Sequence, residues 1–408
     1  MKKEWKQLSE RELFFRHLAP TSFEPPAIQF QSARGIYLYT PQGEVYTDLS
    51  AGFSVNNLGY GQPEVIQAIC HQAGLYLHQT VYGEFVQSPQ VQLAARLVSV
   101  LPSQLDCVYL VNSGAEAIEG AMKLAKRVTG RPYIASFAGA YHGSTQGALS
   151  IMGDEVLKQK YRPLLPGILR LRFNHPEDLL MITDQVAAVV AEPVQAEAGV
   201  VLPRDNFLQA LRQRCDETGT LLVFDEIQTG MGRTGTLFAF EKYGVVPDIV
   251  CLAKALGAGM PLGAFISSKQ NMDTLAGNPP LGHLTTFGGH PVSAAAACAG
   301  FDVLTQARLW ESAEEKASLL TAGLSSYKVL REVRSAGLLI ALDFQSADLA
   351  TQMLRLMWEH HLISDRFLFC PTALRLSPPL VISHEEALTV NKTLHAILQQ
   401  LDDGKTMD

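Results

Sequence analysis

Five short segments of this chain put chemically able side chains directly after runs of apolar residues. In Leu221-Leu-Val-Phe-Asp225 an acid stands at the carboxyl end of a run that reads as a buried strand, the end at which open α/β sheets carry their ligand chemistry. Lys254 closes the next such run, Asp248-Ile-Val-Cys-Leu-Ala-Lys254. If the two strands run parallel, Asp225 and Lys254 share one sheet edge and grip a ligand from two sides; a solvated strand end is the competing reading for either alone. Val111-Asn-Ser113-Gly114-Ala115 turns from a strand into a helix. Unpaired N–H groups, the helix dipole and the Ser113 hydroxyl would cradle a phosphate there, unless the turn is an ordinary cap. Phe137-Ala-Gly-Ala-Tyr141-His142-Gly143 presents a ring that could stack on a flat heterocycle or lie half-buried in a loop. Glu192-Pro-Val-Gln195-Ala-Glu197 adds carboxylates at one more strand end, although Glu197 alone would pass for a surface residue.

A phosphate cradle, an aromatic plate, an acid and a lysine are together the parts that hold pyridoxal 5'-phosphate. The lysine amine forms a Schiff base, and the acid keeps the pyridine nitrogen protonated so that the ring accepts carbanion electrons. Order and spacing carry this expectation, not any one residue.

The elements that must position these groups are legible between residues 106 and 268, where short β-branched runs alternate with helical patterns. That alternation predicts parallel strands with helical crossovers. Strands are expected at 107–112, 133–137, 186–192, 220–226, 248–253 and 262–267. Several are apolar almost throughout, which suits a sheet covered on both faces. The helix opening at Gly114 puts Ile118, Ala121, Met122 and Ala125 on one side, with Glu119 and Lys123 as an i,i+4 pair on another. A second helix is expected over 206–218, capped by Asp205 and ended by Gly219, and an Ala-rich helix after about residue 290. Ser383 and Glu386 form a capping box for a final helix bearing Ala387, Val390, Leu394, Ile397 and Leu401 on its apolar face. The expected fold is therefore α/β: a large domain over 49–305 with a mainly parallel central sheet, and a smaller α+β unit built from 1–48 and 306–408.

Composition narrows the partners. At 408 residues, with 47% hydrophobic and 18% charged, the chain has apolar surface for a sizeable core, and its net charge of −7 disfavours a nucleic-acid surface. The amino terminus reads Met-Lys-Lys-Glu-Trp-Lys-Gln, and no apolar run approaches the ~18 residues of a membrane span, so the expectation is a cytoplasmic protein with no membrane partner. Six dispersed cysteines and the absence of an H-E-x-x-H pair argue against disulfides and against a structural metal.

The motifs together resemble the class III aminotransferases, pyridoxal-phosphate enzymes of fold type I that include the ornithine, acetylornithine and 4-aminobutyrate aminotransferases. The matching segments are Asn112-Ser-Gly-Ala-Glu-Ala, Tyr141-His-Gly, Glu192-Pro-Val-Gln, Phe224-Asp-Glu-Ile-Gln-Thr-Gly, Gly232-Arg-Thr-Gly, Ala253-Lys-Ala-Leu-Gly, Thr286-Phe-Gly-Gly and Arg375-Leu-Ser-Pro-Pro-Leu, in family order. The resemblance implies a ping-pong transfer of an amino group from an amino acid or ω-amine donor to a 2-oxo acid, 2-oxoglutarate or pyruvate. Lys254 would carry the Schiff base and move the proton, Asp225 would pair with the pyridine nitrogen, and Gln228 would contact the ring hydroxyl. Ser113, Gly114 and Ala115 would bind the phosphate and Tyr141 would stack on the ring, with His142 and Glu192 in the same matched cofactor motifs. Thr286 would complete the phosphate site of a second subunit, which implies a homodimer. Arg375 would take a substrate carboxylate through its bidentate fork, with Glu197 masking it in one half-reaction. Two departures bear on substrate: Ser144 stands where an arginine is usual in the ornithine and 4-aminobutyrate branches, and Phe53 where the ornithine branch carries a tyrosine. His290 replaces an asparagine with no evident meaning.

Rival readings remain at this level. Gly230-Met-Gly232-Arg-Thr-Gly235 matches a dinucleotide fingerprint, but the helix and strand-end acid that fingerprint requires are missing after it. A racemase, epimerase or aminomutase would use the same lysine and cofactor, and a non-catalytic relative would keep the fold without turnover.

Overall fold

A computed structural model describes residues 8–81 and 83–404. The amino-terminal stretch read for a targeting signal, residues 1–7, lies outside the described residues, as do Tyr82 and residues 405–408.

A seven-stranded sheet forms the centre, in the order Cys107–Val111, Gly263–Ser267, Ile249–Leu252, Leu221–Asp225, Val186–Ala191, Tyr133–Phe137, Ile168–Leu171. Side chains alternate between two apolar layers: Val189, Leu222, Phe224, Val250 and Leu252 face one core, while Ala188, Val190, Val223, Ile249 and Cys251 face the other. Both faces are therefore covered, as the continuous apolar runs predict. The helix Gly114–Thr129 lies on one face with Ile118, Ala121, Met122 and Ala125 buried as expected. It approaches so closely that a Cβ on Gly120 would stand 2.3 Å from the Phe265 ring.

Four local expectations are corrected. Gly263–Ser267 runs antiparallel to both neighbours. Its connection from Leu252, residues 253–262, holds only one short turn, too little chain for a parallel crossover, so the chain doubles back. Ile168–Leu171 is an additional edge strand whose four residues gave too short a pattern to read. Asp205 is not the cap of Phe207–Thr218: Asp205 and Asn206 are both left-handed, with φ of 49° and 57°, and no side chain caps the helix. Glu119 does not pair with Lys123. It turns to Thr145 Oγ1 and the Gly147 N–H, both at 2.8 Å, while Lys123 Nζ lies 2.9 Å from His283 Nδ1. Three donors converging on one carboxylate oxygen outweigh an exposed ion pair.

Two smaller sheets stand beside the large one. Ser32–Arg34, Tyr37–Tyr39 and Val45–Asp48 join Leu362–Ile363, and Leu330–Ala336, Leu339–Phe344, Ala373–Leu376 and Asp365–Arg366 form the other. The last helix, His384–Asp402, has the predicted capping box and buries Ala387, Val390, Leu394, Ile397 and Leu401. Arg233, wholly buried, ties these parts together by donating to the carbonyls of Leu338 at 2.9 Å and Pro378 at 2.6 Å and to Asn57 Oδ1. The glycines of the fingerprint-like loop serve this packing: Gly232 and Gly235 have φ of 90° and 93°, and a Cβ on Gly232 would meet Leu380 at 2.8 Å.

Candidate active site

The strands Tyr133–Phe137, Val186–Ala191, Leu221–Asp225 and Ile249–Leu252 are mutually parallel, so their carboxyl ends open on one edge. There a cleft of about 450 Å³ is lined by Ser113, Gly114, Ala115, Tyr141, His142, Glu192, Asp225, Gln228 and Lys254. Nine residues named from sequence thus share one cavity.

Asp225 and Lys254 come from neighbouring strands, with Asp225 level with Cys251. Lys254 lies beyond its strand, in left-handed backbone with φ of 49°, at the start of a 3₁₀ turn. That turn carries its amine to 2.9 Å from Gln228 Oε1. Burial lowers the Lys254 pKa, opposed by the charges of Glu197, Asp225 and Glu192. Such an amine sheds its proton more readily than a free lysine, as a nucleophile and proton carrier must. Asp225 accepts from the Ile227 N–H at 3.0 Å and lies 2.7 Å from His142 Nδ1.

Ser113 caps the helix Gly114–Thr129, accepting from the Glu116 N–H at 3.2 Å, so the bland reading of that serine holds as well. Capping uses the oxygen and leaves its proton free to donate into the cleft. Gly143, at φ of 123°, brings the Tyr141-His142 loop against this turn; a Cβ there would lie 2.6 Å from that of Ala115. The Tyr141 N–H donates to Glu192 Oε2 at 3.2 Å and the Ala196 N–H to its Oε1 at 3.1 Å. Burial, reinforced by the charge of Asp225, still pushes the Glu192 carboxyl well above the usual range.

Two buried polar atoms in this cleft, Gln228 Nε2 and His142 Nε2, have no hydrogen-bond partner. The inventory of an unpartnered amide donor, a hydroxyl with helix-terminal N–H groups, a carboxylate backed by imidazole, and an amine matches the polar groups of a phosphorylated pyridine aldehyde.

Of the remaining named residues, Ser144 belongs to the same lining, and Phe53, Glu197, Thr286, His290 and Arg375 do not. Arg375, 1% exposed, meets Glu197 through Nη1–Oε1 at 2.8 Å and Nη2–Oε2 at 3.0 Å. Its guanidinium carbon is 4.7 Å from the Phe367 ring centre and 5.8 Å from that of Phe53. Phe53 sits in a left-handed turn, Ala51–Ser54, with φ between 48° and 61° throughout. Ser144, at the position of the missing arginine, has its hydroxyl 3.2 Å from that of Tyr141. Thr286 is exposed and does not border its own chain's cleft. His290, uninterpretable from sequence, stacks on His78 with ring centres 5.7 Å apart.

Some contributors escaped the sequence reading. Asn112 donates to Thr285 Oγ1 at 2.9 Å and to Glu116, and fastens the segment before Thr286 to the cradle. Val55 and Met260 line the cleft with no chemical signature. Asp365 stands 3.2 Å from Arg375 Nη2, a contact created by hairpin register that only the Arg-and-Asp composition hinted at.

Comparison with known proteins places the chain in one family. Residues 19–398 match the family model described as aminotransferase class-III. An acetylornithine aminotransferase from Methanopyrus kandleri is 37% identical over 381 residues, 93% of this chain and 96% of the relative. A putrescine aminotransferase from Pectobacterium atrosepticum is 35% identical over 407 residues, covering 96% and 86%. The solved (S)-enantioselective omega-transaminase from Thermomicrobium roseum superposes with a TM-score of 0.86 at 30% identity, over 96% of this chain and 97% of that one.

Proposed function

The chain belongs to the class III aminotransferases, pyridoxal-phosphate enzymes that pass an amino group from an amine donor to a 2-oxo acid, and on that premise we propose a division of labour and a donor class. The bound cofactor supplies an aldehyde for imine exchange and a ring that takes up electrons from the donor carbon. Lys254 is the amine that gives way to the donor and then carries the proton between donor carbon and cofactor. Asp225, oriented by His142, holds the proton on the ring nitrogen. Gln228 donates its free amide to the ring oxygen, and Ser113, Gly114 and Ala115 hold the phosphate through hydroxyl and N–H groups. Tyr141 packs on the ring, while Glu192, its carboxyl pushed well above the usual range by burial, holds the Tyr141 and Ala196 N–H groups at the cavity wall.

We read the donor as one that presents a terminal amine. The Glu197–Arg375 ion pair carries this reading: closed, it leaves no cation for a donor carboxylate; opened, it offers a bidentate fork to the acceptor. Phe53 borders this end as an apolar wall. The names of the two curated relatives, one for a diamine and one for an acylated diamino acid, point the same way. Ser144 and Phe53 make unmodified ornithine and 4-aminobutyrate the less suitable donors. A panel of diamines, diamino acids, ω-amino acids and α-amino acids, each with 2-oxoglutarate and with pyruvate, tests this. Turnover confined to α-amino acids would overturn it.

We further place the active form as a homodimer in the cytoplasm. Exposed Thr286, helix Glu10–His17 with no buried residue, and the exposed Phe23, Phe85 and Phe287 support a partner surface. Six free thiols, and no helix among the described residues long and apolar enough to cross a membrane, are in keeping with that compartment. The division into 49–305 and a unit of 1–48 with 306–408 is supported by the strand Leu362–Ile363, which pairs in parallel with Val45–Asp48.

A further inference from the structure

Arg375 has two carboxylates against it, not one. Asp365 faces Arg375 directly across an antiparallel strand pair, with Oδ2 at 3.2 Å from Nη2. Neither Asp365 oxygen has a hydrogen-bond partner, and its side chain is 20% exposed. We propose that Asp365 is a positioning residue that stays on the Arg375 guanidinium when Glu197 leaves, so that the oxo-acid acceptor meets an arginine already carrying a counter-charge. This inference rests on the proposed role of Arg375 as the acceptor's clamp.

The two acids are held differently. Glu197 reaches Arg375 from the loop after Val186–Ala191, and its other contact is the Leu368 N–H at 3.0 Å. It lies within ion-pair distance of both terminal nitrogens and accepts a hydrogen bond from Nη2, leaving Nη1 and Nε, without hydrogen-bond partners among the described residues, for an incoming carboxylate to take up. Asp365 lies at the side of the fork, on a strand bonded to that of Arg375, with Ser364 Oγ also donating to the Arg375 carbonyl. Swinging Glu197 away leaves Asp365 in place. One guanidinium then serves Asp365 and the acceptor carboxylate together, and acceptor affinity is set by the ionisation of Asp365.

The charged groups acting on Asp365 are Arg375, Glu197, Asp48 and Lys254. Asp48 is already committed to the Ser50 and Ala51 N–H groups, the Ser50 hydroxyl and Tyr60. Burial raises the Asp365 carboxyl to about 6 against the pull of Arg375. A raised acid is neutral below that value and charged above it. Acceptor binding is therefore tighter on the acid side, and KM for the acceptor rises as pH climbs from about 5 to 7.

The test measures KM for 2-oxoglutarate and pyruvate, KM for the best amine donor, and kcat across this range in cofactor-loaded wild type, Asp365→Asn and Arg375→Lys. Asp365→Asn lowers acceptor KM about fivefold near neutral pH, changes it more than kcat or donor KM, and removes its rise with pH. An acceptor KM that is unchanged or raised in Asp365→Asn overturns the inference. Should that variant fail to fold, a flat wild-type profile overturns it equally. Arg375→Lys separates the two levels: an unaltered acceptor KM there sinks the clamp itself, whereas a raised one with an inert Asp365→Asn sinks only the role of Asp365.

Discussion

His142 Nδ1 lies 2.7 Å from Asp225 Oδ2, the imidazole fully enclosed and the carboxylate 5% exposed. With the Ile227 N–H on the other oxygen, Asp225 is fixed at both ends and has no freedom to turn from the cleft.

On the proposed mechanism, Asp225→Ala would therefore remove the group that keeps the cofactor ring electron-poor. Turnover of the cofactor-loaded variant should fall by about 10²- to 10³-fold, the scale of a lost preorganised charge. Steady-state kcat measures this, and near-normal turnover would remove Asp225 from the mechanism.

Lys254 is expected to be the single point of covalent attachment for the cofactor. Borohydride reduction of the loaded protein, followed by peptide mass mapping, should place the added mass on the peptide containing Lys254 and on nothing in Lys254→Ala. Mass found on another lysine would refute the assignment.

Glu226 makes a pH prediction about stability. Burial raises its carboxyl from 4.5 to about 7 even though Thr229 and the Phe240 N–H donate to it. For an acid raised in the folded state, the stabilisation is complete below the unfolded value and is lost as pH rises through the folded one. A gap of this size corresponds to roughly 3 kcal/mol. Glu226→Gln, which keeps an acceptor for Phe240, should gain in Tm relative to wild type as pH increases from about 5 to 7.5. Parallel Tm profiles at equal cofactor saturation would contradict it.

Much of the cofactor end of the cleft was readable because parallel strands deliver their carboxyl ends to one place: once Leu221–Asp225 and Ile249–Leu252 are recognised, Asp225 and Lys254 must be neighbours. The same logic reached Tyr141 and Ser113. It failed where the next partner is chosen by tertiary contact. Glu119 found the Thr145 hydroxyl and the Gly147 and Ala148 N–H groups, 26, 28 and 29 residues away, and Asp205 yielded capping to a left-handed turn. The direction of Gly263–Ser267 depends on how little helix its connection holds, which apolar periodicity does not report. The substrate end was read only through family motifs, since Glu197 and Arg375 are 178 residues apart and Asp365 enters by hairpin register.

Arg233 gives the frame a property that the motif containing it conceals. Gly230-Met-Gly232-Arg-Thr-Gly235 looks like a nucleotide grip, yet its glycines let the backbone wrap a guanidinium that bolts Asn57, Leu338 and Pro378 to one spot. None of these anchor points carries Phe53, Glu197 or Asp365. The walls proposed to choose an amine would accordingly be recut by mutation without altering these anchor contacts, a separation that would let one scaffold drift among many donors.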